Sequence, residues 1–209
     1  MLNKTKICIE MNEILELIKS TGVIIASVVA IWGINSWRRE TKWKRQYELA
    51  EEVLASLYES HHAIKVIRSP IGFGNEGSSR PKNENETPQE TEIYNQAYVA
   101  RERFERNKKP LEKLHTLKYR FIALHGKEFE EHFDKFRQTM NKIFFASDQI
   151  AMVKLGQYGE DKKLIRDILK ESRSDLYAQI RGDDKIEKEL QKAMEIIEAK
   201  CRSIIGKNN

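Results

Sequence analysis

The chain has 209 residues, 40% of them hydrophobic and 33% charged, which suits one helical domain plus a short appendage and leaves no room for two full catalytic domains. Its formal net charge of +5 is matched by five cations crowded between residues 38 and 45, so the basicity is mostly local rather than spread along a nucleic-acid-binding face. The two cysteines, Cys8 and Cys201, are far apart and imply no disulfide framework.

Residues 1–12 read as a short N-terminus facing outward from a membrane, and residues 13–37 as a single transmembrane helix. From Thr21 to Trp37 there are 17 residues without a charge, beginning TGVIIASVVAIWGI. A spanning helix needs about 20 predominantly apolar residues, so Ile14, Leu15, Leu17 and Ile18 must extend the run. Trp32, Trp37 and Trp43 suit the aromatic belt at the inner interface. Arg38, Arg39, Lys42, Lys44 and Arg45 follow directly, whereas Lys4, Lys6 and Lys19 on the other flank are offset by Glu10, Glu13 and Glu16. The positive-inside rule then puts the C-terminal part in the cytoplasm and gives these five cations an anionic headgroup surface as neighbour. A cleaved signal peptide fits less well, because the charges follow the apolar run instead of preceding it. A buried core helix is the bland competitor, given how short the strictly apolar stretch is.

Apolar residues at Tyr47, Ala50, Leu54, Leu57, Tyr58 and Ile64 continue with helical spacing, with no breaker before Pro70. Residues 38–67 therefore read as a basic juxtamembrane stalk helix. Residues 68–87 form a glycine-rich loop with three glycines and two prolines. Thr87, Pro88 and Glu90 then make a capping box that opens a helix. Residues 88–209 read as a cytoplasmic helical domain. Pro110 is expected to kink or break its first helix, Gly126 to cap the next, and Phe129 to Phe144 to form another. Leu164 to Leu169 mark a short helix, and Asp183 or Asp184 starts the last. No strand or internal repeat is evident. The fold class is all-α: a transmembrane helix continuing into a stalk, then an antiparallel bundle of about five helices.

Chemistry-bearing patterns are few. Glu59 with His62 and Glu112 with His115 have the Glu-x-x-His spacing of di-iron bundles, but with 25 glutamates and five histidines two such pairs are near chance. No metal, cofactor or catalytic set is assigned, and no nucleophile or phosphate-loop motif occurs. The loop is the sharper candidate. Gly72, Gly74 and Gly77 expose backbone amides and Arg68 and Arg80 flank them, with Arg120 as a third cation, a combination able to hold a small anionic ligand such as a nucleotide. The plain alternative is a connector in which Arg68 caps the preceding helix and Arg120 pairs with a glutamate.

The stretches IRSPIGFGNEG, ENETPQE, AYVARERFERN, LHTLKYRFIALHGKEFEEHFDKFR and IEAKCRSII resemble an uncharacterised family of bacterial single-pass membrane-anchored helical proteins. The resemblance implies bacterial origin and a helical domain, brings no catalytic residues, and adds weight to Arg68, Gly74, Arg80, Tyr119 and Arg120; with the anchor and its flanking charges the expected location is a bacterial inner membrane. Two functions are expected to compete. One is a non-enzymatic interaction or assembly module, as a homo-oligomer or with a protein partner at the membrane, for which Gly22, Ala26 and Ala30 offer a small-residue packing face. The other is a membrane effector of stress or phage defence, gated by an anionic ligand at the loop.

Overall fold

The computed structural model describes the backbone of residues 2–179 and 182–206, and side chains for Lys19 and from Thr21 onward within those ranges. Residue 1, the side chains of the rest of the expected outward N-terminus (2–12) and of residues 13–18 and 20 of the expected span, and residues 180, 181 and 207–209 lie outside that description. The described residues form five α-helices and no strand: α1 Leu2–Ile67, α2 Pro88–His125, α3 Glu130–Lys154, α4 Lys162–Leu176 and α5 Lys185–Ile205, with a 3-10 turn at Lys127–Phe129. The chain divides into two units, Met1–Glu48 and Leu49–Asn209, and α1 runs through the boundary.

Between Val23 and Trp37 α1 is apolar on every side. Val23, Ile24, Ile25, Val28, Val29, Ile31, Trp32, Ile34 and Trp37 are 52–68% exposed, and together they cover the whole circumference at 3.6 residues per turn. The cations Arg38, Arg39, Lys42, Lys44 and Arg45 that follow are all exposed. Among the described residues, no helix is long and apolar enough to cross a membrane.

The second unit begins earlier than the sequence pattern predicts. Leu49, Ala50, Val53, Leu57, Ala63, Ile64 and Ile67 are buried, so the greater part of the expected stalk is the first helix of the bundle. The expected stripe is also rotated. Tyr58 is exposed, while Ser56 and Ser60 are buried with Val53, because small residues let α1 approach its neighbours closely and hydropathy counts serine as polar. The Ser56 hydroxyl donates to the Pro110 carbonyl of α2 at 3.2 Å, and Glu52 pairs with Lys113 and Arg120. On the other side, His61 and Lys65 meet Glu187 of α5 at 3.0 and 3.1 Å.

Helix α2 opens at the expected capping box, with the Thr87 side chain accepting from the Glu90 amide and the Glu90 carboxylate accepting from the Thr87 amide. It does not end at Pro110. A proline inside a helix costs about 3 kcal/mol, which is within reach of the roughly 1.5–3 kcal/mol gained on burying each of Leu114, Leu117 and Phe121 beyond it. The helix closes at Gly126, φ 116°, whose amide donates to the Ile122 carbonyl at 3.0 Å. Helix α3 packs on α2, α4 and α5 and so lies at the centre of the body. Its phenylalanines Phe133 and Phe136 join Phe121 and Phe129 in the core, with Phe129 edge-on to Phe121 at 5.3 Å. Short connections between packed neighbours make α2, α3 and α4 alternate in direction, as in an antiparallel bundle.

Candidate functional site

The loop between α1 and α2 is fastened from beneath by Arg103, which projects from α2 beside the buried Ala100. Its guanidinium donates to the carbonyls of Ser69 at 2.6 Å and Ile71 at 2.8 Å, and forks onto Glu76. Arg103 holds the Glu76 carboxyl below its ordinary value against the opposing effect of burial. Next to it, Glu102 accepts the Gly77 amide. Gly77 has φ 85°, and a Cβ there would come within 1.9 Å of the Asn95 carbonyl oxygen, so only glycine lets the loop lie this close to α2. The loop's two large apolar side chains point the other way, Ile71 being 71% and Phe73 80% exposed.

The residues singled out from the sequence as an anion cradle are distributed among separate anchors. Arg68, 2% exposed, sits at the C-terminal end of α1. Nε donates to the Asp175 carbonyl at 3.1 Å, Nη2 to the carbonyls of Ser174 and Tyr177 at 3.0 and 3.1 Å, and Nη1 to both Asp184 oxygens at 3.0 Å. All its donors are taken, which leaves no guanidinium N–H for a ligand. Asp184 is at the same time the N-cap of α5, accepting the Glu187 amide at 3.1 Å, so one ion pair joins the ends of α1, α4 and α5. Burial pushes the Asp184 carboxyl up, but the amides of Glu187 and Gln179 and the Arg68 charge outweigh it and hold it below the usual range.

Arg80 lies over the Tyr94 ring at 5.2 Å and forks onto Glu86, whose carboxyl it depresses to about 2 with help from the Asn83 amide. Arg120 is exposed and pairs with Glu52 at 3.3 Å, as the plain connector reading has it. Gly74 has open space around it, whereas a Cβ on Gly72 would meet Glu76 at 3.2 Å. The structure therefore does not bring Arg68, Arg80 and Arg120 together around the glycines. Of the Glu-x-x-His pairs, Glu59, His62, Glu112 and His115 are all exposed, and among the described residues no group of three or more His, Cys, Asp or Glu is placed to hold a metal.

A different surface has the chemistry of an anion site. Lys162, Arg166, Lys170 and Arg173 of α4 line an open groove of about 760 Å³ with Ile165, Leu169, Ser174, Gln179 and Asp183. Helix α4 starts at Asp161, which caps the amides of Lys163 and Leu164 at 2.9 and 3.1 Å, and its side chains are segregated by charge. At 3.6 residues per turn, Lys162, Lys163, Arg166, Lys170 and Arg173 fall within about 100° of arc, and Asp167, Glu171 and Asp175 within about 80° on the side away from them. Ile165, Ser172 and Leu176 occupy the remaining arc, where Ser172 and Leu176 are buried. Among the described residues none of these acids forms an ion pair with a cation of α4, although Asp167 lies one turn from both Lys163 and Lys170. The sequence hides this groove because the apolar residues of KKLIRDILK read as a short core helix. The spacing of its cations in steps of four, four and three was the available signal. No family model, curated protein or solved structure matches the chain.

Proposed function

We propose that this is a non-enzymatic, membrane-anchored interaction module, with α1 fixing a helical body at the cytoplasmic face of a bacterial inner membrane. The observation that carries the reading is the apolar stretch of α1 from Val23 to Trp37, exposed around its whole circumference and followed at once by exposed cations. A helix that is apolar all round belongs either inside protein or inside lipid, and none of the described residues covers this stretch. The full sequence contributes Ile14, Leu15, Leu17 and Ile18 ahead of that stretch, enough with it to reach the length of a span. Interaction, in place of catalysis, is favoured by the way the buried arginines are spent on structural ties while Ile71 and Phe73 face outward from a loop held firm by Arg103. A rigid apolar tip loses little entropy on docking.

Alkaline carbonate extraction of bacterial membranes tests the anchor. The full chain stays in the pellet, and a C-terminal tag is cleaved by protease only after the vesicles are opened. Release by carbonate, or a tag exposed on intact cells, overturns the reading. Cross-linking in membranes tests the interaction: a dimer or a partner adduct forms, and Phe73→Ser weakens it.

A second reading, an effector controlled by an anionic ligand, draws on one specific observation. The segment that Arg68 grips, Ser174 to Asp184, also contributes Ser174, Gln179 and Asp183 to the groove on α4, so an anion bound there touches the segment fastened to the end of α1.

A further inference from the structure

We infer that the groove on α4 is a binding site for a linear oligophosphate. The inference names the ligand class for the second reading above and is independent of whether α1 spans a membrane. Its first ground is an asymmetry in how the body uses arginine. Arg68, Arg80, Arg101, Arg103, Arg106, Arg120, Arg137 and Arg202 each have a carboxylate partner. Arg166 and Arg173 have none among the described residues, and both line the same groove. Lys162 and Lys170, beside them, are likewise without an acidic partner among the described residues, and the groove's one carboxylate, Asp183, is engaged by Lys188 at 2.7 Å. Four like charges held along one helix face repel one another unless an anion offsets them.

Shape selects among anions. From Lys162 to Arg173 the cations extend over about 16 Å of helix with a step of about 6 Å between residues four apart, a ladder longer than a single phosphate occupies. The groove is concave and of a size typical for small-molecule sites, whereas a bilayer offers a plane that cannot follow a recess. Ile165 and Leu169 form an apolar wall behind the cations, which reduces local water and strengthens each charge contact. A flexible chain of phosphates, with several negative charges in a row and no ring or base that must be read, matches these features. Arginine supplies paired donors to phosphate oxygens and lysine a mobile point charge.

The test measures binding of a short-chain inorganic polyphosphate to the full chain held in neutral phosphatidylcholine nanodiscs, or in detergent if the chain does not enter nanodiscs, by fluorescence anisotropy of labelled polyphosphate. Binding weakens steeply from about 50 to 200 mM salt, as expected for phosphate contacts. The triple variant Lys162→Gln, Arg166→Gln, Lys170→Gln binds roughly tenfold or more weakly, because several phosphate contacts are lost together. A control with the same charge change elsewhere, Arg120→Gln, Lys127→Gln, Arg137→Gln, binds like the wild type. All the α4 substitutions are at exposed positions, and unchanged circular dichroism confirms the fold in both variants. Equal binding by the α4 variant and the wild type, or an equal loss in the control, overturns the site. A single-stranded oligonucleotide that binds more tightly than polyphosphate through the same residues overturns the ligand class. So does protection of the α4 lysines from acylation by phosphatidylglycerol nanodiscs without any polyphosphate binding, since the ligand would then be a lipid surface. Failure of the chain to enter nanodiscs bears on the anchor alone, because the detergent measurement still reads the groove.

Discussion

At the residue scale, the buried arginines Arg68 and Arg103 matter most, because each fastens segments distant in the chain. Arg68 satisfies three carbonyls at the end of α4 and the cap of α5, so removing it strands those carbonyls and leaves Asp184 without its cation. Breaking a buried pair in this way is worth about 3–5 kcal/mol, and we expect Arg68→Ala to lower the unfolding free energy by that amount in urea titration, with Arg68→Lys falling between it and the wild type. Glu86 gives a pH signature. Its carboxyl ionises at about 2 in the folded chain against an ordinary 4.5, so the Arg80 pair contributes stability that is complete above about 4.5 and is lost as the pH falls toward 2. The urea midpoint of the wild type should therefore drop more steeply between those values than that of Glu86→Gln.

At the element scale, two positions test why the pieces run where they do. Pro110 interrupts the hydrogen-bond ladder of α2 without ending the helix, so the helix persists because its distal half is buried, not because its local propensity is good. Pro110→Ala restores the missing N–H and should raise stability by about 1–3 kcal/mol, read as a higher melting temperature, with α2 unchanged in helical content. Gly77 is the opposite case. An added Cβ meets both an unfavourable φ and the Asn95 carbonyl, so Gly77→Ala should cost about 1–3 kcal/mol and make the 68–87 loop more open to limited proteolysis. The body has about the expected number of helices, but by another route. Of the kink or break expected at Pro110, the break is absent, and the end of α1 supplies a helix that the sequence pattern assigns to a stalk.

At the scale of the whole molecule, the two units differ in where their apolar residues lie. The body has its own core from Leu49 onward, whereas the apolar residues from Val23 to Trp37 are exposed. An arginine at the centre of a spanning helix costs about 2.5–3.5 kcal/mol, so Val28→Arg should release the chain into the carbonate supernatant in proportion. The thermal melt of the helical body should stay unchanged by the same substitution, because none of its buried contacts involves residue 28. A melt lowered by several degrees would show that the two units share a core.

The amino-acid pattern alone determined the all-α class, the capping box at Thr87, the ends of the loop at Ile67 and Pro88, the glycine stop at Gly126 and the start of α5 at Asp183 or Asp184, of which the structure makes Asp184 the cap. Those features are local, set by backbone chemistry within a few residues. Tertiary structure decided everything that depends on partners distant in the chain. It turned Arg68 from a candidate ligand contact into a joint between helices, brought Arg103 under the loop, and rotated α1 so that serines face inward. It also gathered four cations of α4 along one groove, whose carboxylate Asp183 is already engaged by Lys188.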